Sequence, residues 1–151
     1  MKADELSCKD LMVGDWVNAN RYECVGEMQY AEWKEIGKVI QIYEDIVVLL
    51  FFTREDDDEE IYVKDIEPIS LTPEILEKNG FEDIGDDTYQ LEKKPCWFWV
   101  DFFRHTYGCE YDTSTYEYED DEHRLKLYGI PSVHELQHAL RLCGIEKEII
   151  L

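Results

Sequence analysis

The longest uninterrupted apolar run in the chain, Ile46-Val47-Val48-Leu49-Leu50-Phe51-Phe52, has only seven residues. A helix needs about 20 such residues to cross a bilayer, so no membrane span is expected. The run has the length and the β-branched, aromatic make-up of a buried strand. Gly37 to Tyr43 precedes it across Glu44-Asp45, a polar break suited to a hairpin turn. Leu11 to Val17 before this pair, and Ile61-Tyr62-Val63 and Ile66 to Ile69 after it, extend the series of short strands. The acidic stretch Glu55 to Glu60 is expected to be a solvated loop between strands, and Asn18 to Ile36, with Trp33, a loop insertion. Several short strands at this spacing predict a small antiparallel barrel.

The back half reads differently. Thr72 suits a helix N-cap, Pro73 the first helical position, and Gly80 a left-handed terminus, which predicts a helix from Leu71 to Phe81. Thr88 to Glu92, Cys96 to Phe103, Thr113 to Glu119 and His123 to Tyr128 are expected to form a strand meander. Trp97-Phe98-Trp99-Val100 is apolar on both faces, so that strand is placed centrally and its aromatics, with Phe102 and Phe103, in the core. A closing helix is expected from about Val133 to Cys143, ending at Gly144. The order Gly-Asp-x-Val, Gly-x-Val-x-x-Ile, then two further strands resembles SH3-like barrels of the Tudor and KOW kind. The expected fold is therefore α+β. An SH3-like antiparallel barrel at 1–70 is followed by a helix, β-meander and closing helix at 71–151.

Charge bears on partners. The 36 acids and 15 bases give −21, shared between 18 acids and 7 bases in residues 1–70 and 18 acids and 8 bases in 71–151. Two acidic halves repel nucleic acid and anionic head groups, so direct nucleic-acid binding and membrane binding are not expected, and a basic protein partner is. A 44% hydrophobic fraction with 13% aromatics fits a globular chain. Cys8, Cys24, Cys96, Cys109 and Cys143 are odd in number, widely spaced and without a Cys-x-x-Cys pair, which reads as free thiols in a reducing compartment. With an acidic N-terminus lacking a signal core, a cytoplasmic location is expected.

One motif could carry chemistry. His134-Glu135-Leu136-Gln137-His138 matches His-Glu-x-x-His, which on a helix places two histidines one turn apart to hold Zn²⁺ and a glutamate as general base. Ser132-x-x-Glu135 is also a capping box, which gives Glu135 a structural task. At 100° per residue Val133, Leu136, Ala139, Leu140 and Cys143 share an apolar arc, so His134 and His138 are expected to face outward. For a third ligand the chain offers Glu146 downstream or Cys109 upstream, neither in a known metalloprotease spacing. Cys96, His105, Cys109 and His123 match no standard zinc finger. The eight glycines form no phosphate-binding loop, and no Gly-x-Ser-x-Gly elbow is present.

Three blocks resemble a known family. They are Leu11-x-Val13-Gly14-Asp15-Trp16-Val17, then Ile66-x-Pro68-Ile69-x-Leu71-Thr72-x-Glu74-x-Leu76-x-x-x-Gly80-Phe81, and last Val133-His134-Glu135-Leu136-Gln137 with Gly144-x-x-x-Glu148-Ile149. They are similar to small proteins encoded by phages, prophages and other mobile elements of gut bacteria. This chain differs in a longer N-terminus and in the insertion through Trp33. The family has no assigned activity, cofactor or catalytic residues, so the resemblance implies a mobile-element context and supplies no function. The expected function is a non-enzymatic acidic interaction module, without cofactor, that binds a basic protein segment. The alternatives are a zinc-dependent hydrolase using His134, Glu135 and His138, and a nucleic-acid mimic that blocks a DNA-binding enzyme.

Overall fold

The computed structural model describes residues 6–51, 57–111 and 124–151. Backbone contacts divide the chain into two compact units, Met1–Ile69 and Ser70–Leu151. Among the described residues 53% are strand and 17% helix, in two antiparallel sheets with two α-helices. The α+β expectation is thereby corrected to a β-rich fold. No described helix is long and apolar enough to cross a membrane.

In the first unit β1 (Trp16–Gly26), β2 (Gln29–Ile42), β3 (Ile46–Phe51), β4 (Asp57–Tyr62) and β5 (Ile66–Pro68) pair in the order β4-β3-β2-β1-β5. The expected SH3-like barrel is not closed. β5 reaches three residues of β1, Val17 to Ala19, while β4 follows β3 from Phe51 to Ile46 at the opposite edge. Closure needs a ladder between the two edge strands, and among the described residues β4 and β5 do not pair.

Asn18 to Ile36 is not a loop either. The β1–β2 ladder runs unbroken from Trp16 opposite Lys38 to Cys24 opposite Tyr30, with a bulge before the turn. Val17, Ala19 and Val39 bury their side chains with Leu11, Val47, Leu49, Phe51, Ile61 and Ile66. Past Ala19 the hairpin leaves that core, and Tyr22 to Tyr30 are all exposed. Arg21 closes the boundary, bonding Glu59 at 2.6 Å, approaching Glu35 at 3.7 Å and lying over the Phe51 ring. Asp57 to Glu60, expected as loop, form an edge strand whose four exposed acids discourage edge-to-edge pairing. Residues 55–56 lie outside the described residues.

The second unit begins with α1 (Pro73–Lys78), whose N-cap Thr72 accepts from the Ile75 amide, and Gly80 ends it at φ +81°. Five strands follow: β6 (Glu82–Gly85), β7 (Thr88–Lys93), β8 (Cys96–Asp101), β9 (Thr106–Tyr111) and β10 (Arg124–Tyr128). They form an up-and-down sheet in sequence order with β8 at its centre. β6 and β9 had no counterpart in the sequence expectation, and the expected strand at Thr113 to Glu119 lies outside the described residues. α2 (Val133–Leu142) closes the unit.

One face of this sheet is core. Tyr89 and Leu91 of β7, Phe98 and Val100 of β8 and Cys109 of β9 are buried, as are Leu76 of α1 and Val133, Leu136 and Leu140 of α2. Phe81 meets Phe98 edge to face at 6.3 Å, and the Tyr111 hydroxyl donates to the Cys143 carbonyl at 3.1 Å. Strand alternation then turns Trp97 and Trp99 to the other face. Gly108 of β9 lies directly opposite Trp99, and a Cβ there would come within 1.9 Å of the Leu125 carbonyl oxygen and 3.1 Å of the Trp99 ring.

Candidate functional site

The His-Glu-x-x-His segment opens α2. Its capping box is formed in full: the Glu135 carboxylate accepts from the Ser132 amide at 2.7 Å, and the Ser132 hydroxyl accepts from the Glu135 amide at 3.4 Å. Glu135 is thereby tied to its own helix end. The outward placement of His134 is corrected, because its side chain is only 4% exposed. The covered arc of α2 is broader than the purely apolar one and takes in His134 and Gln137 as well. His134 Nδ1 lies 2.9 Å from the Ser132 hydroxyl, and its ring meets that of half-buried His138 at 5.7 Å. Among the described residues no group of three His, Cys, Asp or Glu side chains could hold a metal ion. Neither Cys109 nor Glu146 therefore completes a zinc site with the two histidines.

The cysteines gather differently. Cys96, Cys109 and Cys143 are buried in the second unit, where β8–β9 pairing puts Cys96 and Cys109 on the core face. Burial, together with the Cys109 thiol beside it, pushes the Cys96 thiol up to about 12, and Cys143 is raised for the same reasons. Such thiols stay protonated and unreactive at neutral pH. His105 is exposed in the β8–β9 turn, away from them, and His123 lies outside the described residues.

The outer face of the second sheet carries a more informative arrangement. A groove of about 450 Å³ runs over it, lined by Trp97, Trp99, Gln90, Asp86, Arg104 and Glu110 among others. Both indoles are half-buried, not core as expected from sequence. Trp97 has Glu92 opposite it on β7 and Glu110 opposite it on β9, while Trp99 has Gln90 and Gly108. At one end Asp101 accepts from the Arg104 amide at 2.7 Å and from its guanidinium at 2.9 Å. Burial pushes the Asp101 carboxyl up, but these Arg104 bonds outweigh it and hold the group below the usual carboxylate range. Phe103 beyond the strand is exposed, whereas Phe102 packs edge to face on Tyr89.

The signal for this site was present as alternation. Trp97 and Trp99 are i and i+2, so one face must hold both, and Gln90 and Glu92 on the neighbouring strand share their spacing. Reading the four-residue run as core on both sides concealed it.

No protein-family model, curated protein or solved structure matches the chain.

Proposed function

We propose that the protein is a non-enzymatic acidic interaction module that captures a basic protein segment on the outer face of its second sheet. The observation that carries this reading is the groove itself, in which two half-exposed indoles stand among carboxylates in a chain of net charge −21. Indole faces attract cations and carboxylates bind them, so the surface favours Lys- and Arg-bearing chains and disfavours phosphate. In this reading the module works in the cytoplasm, is encoded on a mobile element as the sequence resemblance implies, and engages a host or element protein without a cofactor.

The test is fluorescence anisotropy with labelled basic, neutral and acidic peptides and duplex DNA, at low salt and at about 0.5 M salt, where the screening length falls to a few ångströms. Binding confined to the basic peptide and lost at high salt is the expected result. Affinity for duplex DNA, or equal binding of all three peptides, would remove the proposal.

A further inference from the structure

We infer that the groove reads arginine: a guanidinium stacks on the Trp97 indole between Glu92 and Glu110, in an extended segment lying along β8. This rests on the function proposed above and names the side chain that the site recognises. Directly opposite residues on one face of antiparallel strands have Cβ atoms about 5 Å apart. Trp97 is opposite Glu92 on one side and Glu110 on the other, so a cation over the ring has a carboxylate on each flank, and Glu110 in turn has Arg124 opposite it on β10. Glu92 also approaches Lys94 at 3.9 Å, but that pair is exposed and weak enough for a ligand to displace.

Two properties select guanidinium over ammonium. Its plane stacks on the indole while its edge donates two parallel bonds to a carboxylate, and it is less strongly hydrated than a lysine head group. The rest of the groove limits the second contact. Trp99 stands about 7 Å along the strand, the spacing of alternate side chains in an extended ligand. It is flanked by Gln90 and Gly108 with no carboxylate opposite, and the Arg104 cation occupies that end of the groove. The ligand pattern that fits is one arginine with an uncharged, preferably aromatic, side chain two residues away.

The experiment compares three labelled peptides on the full chain at low salt, alike except for Arg, Lys or citrulline at the one cationic position. The expected order is Arg over Lys by several-fold, with citrulline, which keeps the shape but lacks the charge, weakest. Trp97→Leu is expected to weaken the Arg peptide about tenfold, between the values for an exposed and a desolvated cation on an indole, as suits a half-buried ring. Glu92→Gln with Glu110→Gln, a change of exposed charge that leaves the sheet intact by circular dichroism, should weaken it several-fold and erase the Arg preference. Equal binding of Arg and Lys peptides, unchanged in both variants, would place the basic segment off this sheet face, overturning the inference and the proposed location while leaving in force that the chain captures a basic segment. Failure of every basic peptide to bind overturns both.

Discussion

Asn79 offers the sharpest test of how the second unit is held together. The last residues of the chain, from Ile145 on, have no regular secondary structure, yet Ile145 and Ile149 are buried. Their backbone groups must find partners elsewhere. The Asn79 side chain, 3% exposed at the end of α1, supplies them as a peptide group would. Its Nδ2 donates to the Ile150 carbonyl at 2.7 Å and to the Ile75 carbonyl at 2.8 Å, and its Oδ1 accepts from the Ile150 amide at 2.8 Å. In Asn79→Ala the Ile75 carbonyl keeps the bond from the Asn79 amide at 3.2 Å, so two of the three losses matter. At about 1 kcal/mol net per bond the cost is about 2 kcal/mol. Asn79→Asp is expected to be at least as damaging, since it retains the acceptor but sets a carboxylate against two carbonyl oxygens. Urea denaturation followed by tryptophan fluorescence measures the change, and amide exchange at Ile150 should quicken in both variants. A loss below about 0.5 kcal/mol for Ala, or an Asp variant as stable as the parent, would refute the account.

Two further outcomes follow from the buried thiols and from the start of α2. A thiol raised in the folded state holds its proton more tightly there than when unfolded. Its contribution is therefore full below the ordinary thiol value of 9.0 and is lost as pH climbs toward 12. Between pH 9 and 11 the urea midpoint should fall more steeply for the parent than for Cys96→Ala/Cys143→Ala, and parallel slopes would contradict the assignment. At α2, Glu135→Gln should be almost silent because glutamine also serves in a capping box. His134→Ala, which empties a buried position, should cost about 1–3 kcal/mol and His138→Ala less; the reverse order by thermal or urea unfolding would contradict the burial pattern.

The local signals that proved legible were those in which a few adjacent residues determine the outcome. Thr72, Pro73 and Gly80 bound α1, and Ser132 with Glu135 opens α2, because caps are decided within one turn. Ile46 to Phe51 was legible because a strand buried on nearly both faces reads as a continuous apolar run. β8 was legible as a central strand from the same kind of run, although Trp97 and Trp99 turn out to line the half-buried outer face. The β1–β2 hairpin was not. Beyond Ala19 both of its faces meet water, so it lacks the alternation that marks a half-buried strand. β4 failed for a related reason: Asp57 to Glu60 look like loop by composition, and pairing with β3 through backbone groups alone makes them strand. β6 and β9 each interrupt their pattern with a glycine, Gly85 and Gly108, whose purpose becomes visible in three dimensions.

The same contrast governs the site. A motif such as His-Glu-x-x-His is conspicuous in one dimension because its residues are neighbours, and here those neighbours are already committed to capping a helix and filling its covered arc. The Trp97 site is spread over β7, β8 and β9, with Glu92 and Glu110 eighteen residues apart in sequence and joined by strand register. Register depends on the whole sheet, including the turn at Asp86-Asp87, where both residues take positive φ and set which residues of β6 and β7 face each other. A one-residue slip of β7 would carry Glu92 to the core face and Leu91 to the groove, exchanging the proposed cation site for an apolar patch. The recognition proposed for this protein is thus a property of strand pairing before it is a property of any one side chain, because the outer-face tryptophans take their surroundings from the residues placed opposite them.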